Sequence, residues 1–166
     1  MSVSEHLAEL GIDLPPVAKP LADYVPATVS GGQVRSSGQL PLVDGELTPT
    51  GKVGAGVIPD TAKASARTAA LNALAAAASA AGGVDKISKV VHVTVFVASD
   101  PSFTDQPEVA DGASELFGEV FGLAGAHSRS AVGVAVLPLD SPVEVEAVFQ
   151  LKPVETGDVV VASNAV

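Results

Sequence analysis

Residues 87–98, ISKVVHVTVFVA, constrain this chain more than any other stretch. β-Branched and aromatic residues dominate it, and such side chains suit a pleated, half-buried surface. Successive side chains of a strand point to opposite sides, yet from Val90 on both parities are apolar apart from His92 and Thr94. That pattern predicts a central strand covered on both sides. Ser99-Asp100-Pro101 ends it.

Such a strand needs helices and neighbours, and the sequence supplies both. Residues 60–81 carry Ala69-Ala70-Leu71-Asn72-Ala73-Leu74-Ala75-Ala76-Ala77-Ala78, the strongest helix-forming run in the chain. Pro59 and Asp60 suit its start and Gly82-Gly83 its end. Leu71, Leu74, Ala78 and Ala81 fall on one stripe, and side chains this small let a helix approach a sheet closely. A second helix is predicted over 103–122, with Phe103, Ala110, Ser114, Phe117 and Phe121 as its buried stripe and Pro107 disturbing its first turn. A short helix is predicted over 3–11, capped by Ser4, with Leu7 and Leu10 on one face and Gly11 at its end. Pro15, Pro16, Pro20 and Pro26 make 13–26 an extended connection that holds Tyr24, the only tyrosine. Gly31-Gly32 predicts a hairpin between 27–30 and 33–37, closed by Ser37-Gly38-Gln39-Leu40-Pro41. Val43-Asp44-Gly45-Glu46 reads as a second turn. The glycines at 51, 54 and 56 match no nucleotide-binding spacing, and Lys52 is not followed by Ser or Thr. Two more strands are predicted, about 130–136 and 143–151. Residues 154–166 form a tail in which Val159-Val160-Val161 reads either as an edge strand or as a loose end.

The order of elements predicts an α+β sandwich, one mixed sheet with two helices on one face. Two helices cover one face only, whereas the strand at 87–98 is apolar both ways. The uncovered face then calls for burial by further copies of the chain, with ligand clefts between subunits. A net charge of -10 and scattered Lys and Arg residues argue against nucleic acid, which needs a basic patch. No run approaches the ~18–20 apolar residues of a membrane span. The first residues lack the basic and apolar regions of a secretory signal, so a cytoplasmic protein is expected. With no cysteine, thiolate chemistry within the chain is excluded.

The sharpest chemical feature is Arg129 in an apolar setting, followed by Glu144 and Glu146 two residues apart on one strand face. Two readings stand: an ion pair between Arg129 and either glutamate across adjacent strands, or a guanidinium free to grip a carboxylate in bidentate fashion. Glu146 reads as a solvated face residue, and Glu144 as the better candidate for ordering a water. His127 adjoins Arg129 and reads as a cap or as help in binding an anion. His6 and His92 show no metal spacing. Ser37 lacks a nucleophile-elbow pattern.

Ser37-Gly38-Gln39-Leu40-Pro41, Val95-Phe96-Val97 before a turn, and Arg129-Ser130 leading through Leu137-Pro138 to Val143-Glu144-Val145-Glu146-Ala147 together resemble the Rid family. Its members are the reactive intermediate deaminases, also called YjgF-like or endoribonuclease L-PSP proteins. The resemblance covers roughly residues 20–151 and places the chain in a longer branch, with Asp105-Gln106-Pro107 opening the second helix. Residues 1–19 then form an N-terminal helix and Pro-rich extension, 20–152 the family domain and 153–166 the tail. The resemblance implies a chorismate-mutase-like sandwich in a homotrimer with clefts between subunits, and no metal or organic cofactor. It implies that Arg129 clamps a substrate carboxylate, that Glu144 places a water or proton, that Tyr24 closes the pocket and that backbone near Gly31 contributes. The activity implied is hydrolysis of small carboxylate-bearing enamines or imines to 2-keto acids and ammonia. Two departures, Ala131 for the family's usual Cys and Pro101 or Ser102 for its usual Asn, keep a non-catalytic binder of small 2-keto or hydroxy acids as the alternative. A ribonuclease follows only from a family name.

Overall fold

The structure, a computed structural model, describes residues 1–19 and 22–153. The reading of the tail as strand or loose end falls outside them. Strands β1 (Ala27–Ser30) and β2 (Gln33–Ser36) form the expected hairpin, and β3 (Leu42–Val43) and β4 (Glu46–Leu47) a small second one. Helix α2 (Pro59–Ala81) leads through a short 3-10 turn to β5 (Ile87–Ala98), and α3 (Gln106–Phe121) leads to β6 (Ser128–Val134). The last strand among the described residues is β7 (Val143–Leu151), and a short helix α1 (Val3–Glu9) comes before the others.

Five strands form one mixed sheet in the order β1-β2-β7-β5-β6. All neighbours are antiparallel except β5 and β6, which run parallel, as a strand–helix–strand crossover through α3 requires. The strand at 87–98 is therefore interior, but the middle position belongs to β7. The register puts Val143, Val145, Ala147 and Phe149 of β7 beside Val97, Val95, Val93 and Val90 of β5. All eight are buried on the face that α2 and α3 cover. Phe149 meets Phe117 of α3 edge to face at 5.5 Å, a favoured aromatic geometry. The other face carries His92, Thr94, Phe96, Glu144, Glu146 and Val148, none of them fully buried within one chain.

Helix α2 is more enclosed than its leucine stripe predicts. Every residue from Asn72 to Ala78 is buried, because the helix is wedged between the sheet, α3 and the loop leading to β3. Asn72 ties that loop down, its Nδ2 donating to the carbonyls of Leu40 and Leu42 at 2.8 and 3.0 Å. Contact with α3 is close at Gly112, where a Cβ would overlap the Lys63 carbonyl. Lys63–Glu115 and Arg67–Glu119 ion pairs, at 2.7 and 2.6 Å, flank that contact.

Two helix readings need correction. α3 starts at Gln106, so Phe103 lies in the preceding turn. Its buried face is Val109, Ala110, Ala113, Leu116, Phe117 and Val120, and Ser114 stands at the edge of that face. In α1 the cap is Ser2, whose hydroxyl accepts from Glu5 N while Glu5 returns to Ser2 N, a reciprocal capping box. Ser4 instead binds Asp85 through both its amide and its hydroxyl, at 2.8 and 2.6 Å. Those bonds hold Asp85 below the usual carboxylate range. No helix among the described residues is long and apolar enough to cross a membrane.

Candidate functional site

Arg129 and Glu144 lie on opposite faces of the sheet. Arg129 stands in register beside Val93, and Val93 beside Ala147, so its side chain leaves on the helix side. Glu144 stands beside Phe96, and Phe96 beside Val132, on the uncovered side. The cause is parity: Ala147 and Glu144 are three residues apart on β7, and alternate residues of a strand face opposite ways. This overturns the reading of Arg129 as an ion-pair partner of Glu144 or Glu146. Glu146 pairs with Arg35 at 3.0 Å, and Arg129 pairs with Asp111 of α3 at 2.7 Å.

Arg129 is held at its far end. Nη1 donates to Asp111 Oδ1 and to Ser114 Oγ at 2.7 and 3.0 Å, and Nη2 to the Pro107 carbonyl at 3.3 Å. A guanidinium has five N–H donors, so two have no such bond among the described residues. The Arg129 side chain is 24% exposed, which leaves it within reach of a small anion at the β6 edge. Ala131 lies two residues on, beside Val95, on the same face as Arg129.

Glu144 is half-buried and makes no hydrogen bond among the described residues. Its carboxyl is pushed up from the usual range, first by burial and then by the neighbouring charge of Glu146. A raised value keeps a fraction of the carboxyl protonated nearer neutrality, the state a proton donor needs. Gly38 is what admits this side chain, since a Cβ there would overlap Glu144 Oε1. Gly38 sits where the chain leaves β2 and bridges to β7, with Gln39 and Val145 exchanging backbone hydrogen bonds at 2.8 and 3.0 Å.

Tyr24 belongs to the same neighbourhood. Ser37 anchors its segment, donating from its amide to the Pro26 carbonyl at 2.8 Å and from its hydroxyl to the Val25 carbonyl at 2.7 Å. Tyr24 and Gly38 line one small pocket together with Gln39 and Leu40, and the tyrosine is 46% exposed. Gly31 is elsewhere. It occupies the β1–β2 turn with φ +57°, next to the Gln150 end of β7, about 20 Å along the strand from Glu144 at ~3.3 Å per residue. The glycine beside Glu144 is Gly38, of the Ser37-Gly38-Gln39-Leu40-Pro41 stretch. The signal for it was a Gly where the chain must cross from one strand pairing to the next. In the turn after β5, Asp100 Oδ1 accepts from the Ser102 amide and hydroxyl at 2.9 and 2.6 Å, and these bonds lower the Asp100 carboxyl.

A mixed five-stranded sheet with two long helices on one face, and a carboxylate group and an arginine on opposite sides of it, defines an α+β sandwich of the chorismate-mutase-like kind. The chain belongs to the family described as "YjgF/chorismate_mutase-like, putative endoribonuclease", whose model matches residues 4–151. It is 45% identical over 150 residues to protein TCP17 of Trypanosoma cruzi, covering 90% of this chain and 94% of that one. To a 2-iminobutanoate/2-iminopropanoate deaminase of Dermatophagoides farinae it is 32% identical over 141 residues, covering 85% of this chain and 95% of that one. Among solved structures, the Atu1372 protein of Agrobacterium tumefaciens superposes with a TM-score of 0.83 at 40% identity, over 90% of this chain and 92% of that one.

Proposed function

We propose that the protein hydrolyses small carboxylate-bearing enamines or imines to 2-keto acids and ammonia, in clefts between the subunits of a homotrimer. The observation that carries this reading is the separation of Arg129 from Glu144 by the sheet. One chain holds an anion grip on one side and a carboxylic acid with Gly38 and Tyr24 on the other, so a second copy is needed to bring the two sets together. The uncovered sheet face, with Phe96, Thr94 and Val148 only partly buried, offers the surface for such contact. The relative named as a 2-iminobutanoate/2-iminopropanoate deaminase supports the substrate class.

The chemistry asks little of the protein. Arg129 holds the substrate carboxylate with the donors that Asp111, Ser114 and Pro107 leave unused, and so fixes the imine carbon. A protonated imine is already electrophilic, and positioning supplies much of the rate. Water adds to that carbon while Glu144 takes a proton from it and passes it to the nitrogen; the hydroxyl of the adduct then gives its proton to Glu144 as the C=O forms, the C–N bond breaks and ammonia leaves. Metal and organic cofactors have no step in this scheme.

The test is release of ammonia and pyruvate from freshly generated 2-aminoacrylate. Arg129→Ala is expected to lose at least ~100-fold in kcat/KM, the scale of a lost charge-assisted bidentate contact. Wild-type protein with no turnover above buffer sinks the enzymatic reading. A monomer by analytical ultracentrifugation sinks the shared cleft. Ala131 and the Asp100-Pro101-Ser102 turn favour the second reading, a binder of small 2-keto or hydroxy acids. It predicts calorimetric binding of 2-ketobutyrate that vanishes in Arg129→Ala, without turnover. A ribonuclease reading has the net charge of -10 against it, and intact RNA after incubation with purified protein disposes of it.

A further inference from the structure

Ser114, His127 and Arg129 form a chain of hydrogen bonds that ion pairing does not explain. His127 Nδ1 lies 2.6 Å from the Gly125 carbonyl, and Nε2 lies 3.0 Å from Ser114 Oγ. A carbonyl only accepts, so Nδ1 carries a proton, and in the singly protonated ring Nε2 is left to offer its lone pair. The Ser114 hydroxyl must then donate to His127, while it accepts from Arg129 Nη1 at 3.0 Å. We propose that Ser114 is the nucleophile of an acyl-transfer site that cleaves small carboxylic esters, with His127 as its general base and Arg129 beside the developing negative charge.

The arrangement has the three parts such chemistry needs: a hydroxyl, a base in hydrogen-bond contact with it, and a third group that orients the base. It also holds its base in place. The His127 ring stands edge to face on Phe117, with centroids 6.0 Å apart, which fixes its plane. Gly125 packs so tightly on α3 that a Cβ would overlap the Phe117 carbonyl, which brings its own carbonyl to His127. The pre-organisation that a working base requires is thus supplied by the end of α3 and the turn after it. All three side chains line an open depression of about 480 Å³, and Gly118 and Gly122 at its floor leave room for a short acyl group. Asp111 already balances the charge of Arg129, so a neutral ester is not disfavoured.

In the first step Ser114 Oγ bonds to the acyl carbon and its proton passes to His127 Nε2. The C–O bond to the leaving alcohol breaks, and the alcohol departs with that proton. In the second, water gives a proton to His127 and attacks the acyl carbon, and the acid leaves as Ser114 recovers its hydrogen. No oxidant, reductant or metal enters.

The test is covalent labelling of the full chain with a fluorophosphonate, read by intact mass and peptide mapping. Displacement of fluoride forms a Ser114 Oγ–P bond. The expected result is one adduct per chain on the peptide that holds Ser114, none in Ser114→Ala, and a labelling rate at least ~100-fold lower in His127→Gln, the scale of a lost general base. A pre-steady-state burst with p-nitrophenyl acetate should accompany it. No adduct, or an adduct mapped to another residue of the wild-type protein, overturns the proposal without reliance on any variant. Acylation of the chain has no part in imine hydrolysis, so the two readings fail separately although both use Arg129.

Discussion

Val145 and Glu144 are neighbours in the chain and stand on opposite sides of β7. Val145 meets Val95 on a face sealed by α2 and α3. Glu144 meets Phe96 on a face the chain leaves uncovered, where its carboxyl is partly desolvated and unpaired among the described residues. On the first face the positions of β5 and β7 are filled by hydrocarbon, and the packing serves stability, with Arg129 at the β6 edge as the charged exception. On the second, carboxylates, a histidine, a threonine and half-buried apolar groups are mixed, a composition that suits an interface or a ligand. One set of strands thus carries two kinds of surface, separated only by residue parity.

Five substitutions probe that division. Phe149→Ala, on the sealed face, should cost about 3–5 kcal/mol, the range for deleting a buried phenylalanine, read by urea denaturation. Val148→Ala, one residue away on the open face, should cost under about 1 kcal/mol in a chain that does not associate. An equal loss from both would mean that the open face is packed as firmly as the other, and would sharpen the case for association. Gly112→Ala pushes a methyl into the Lys63 carbonyl and parts α2 from α3, at about 1–3 kcal/mol. Gly38→Ala meets only the flexible end of Glu144, so it should shift stability by no more than about 1 kcal/mol while displacing the carboxyl and lowering turnover of 2-aminoacrylate. The smallest effect is pH-linked. A carboxyl whose folded value is raised binds its proton more tightly folded than unfolded. Wild type should therefore lose stability relative to Glu144→Gln as pH rises through and above the ordinary carboxylate range, and match it below that range. Melting temperatures of the two proteins across pH 3–8 read the difference; a difference that is constant with pH removes the raised carboxyl from the account.

The sealed face was legible in the sequence. The apolar run at 87–98, the capped alanine helix and the glycine hairpin each carry a local signal, and each forms where expected. The middle position of β7 was not legible, because its alternating Val and Glu read equally well as an edge strand. Sequence spacing puts Glu144 and Glu146 on one face, but says nothing about which face Arg129 shares with them. That depends on how β5 pairs with β6 and β7, a non-local register. For the same reason Asp111, 18 residues before Arg129 on another element, was not identified as its partner. The role of Ser114 was hidden differently. It was counted within a buried stripe, and a shift of the helix face by one position places it beside His127 instead.

The sheet order has a consequence for how the chain is made. β7, the last strand among the described residues, separates β2 from β5, so neither of those two can complete its pairing before β7 is made. The β1–β2 hairpin must wait while over 100 further residues are added, on the order of 5–20 s at a ribosomal pace of about 5–20 residues per second. Until then the nascent sheet exposes an unpaired edge of β5 and a hairpin without its neighbour. Helices α2 and α3 and the parallel β5–β6 pair need no contact with β7 to begin forming. The five-stranded sheet is completed only with the strand bearing Glu144.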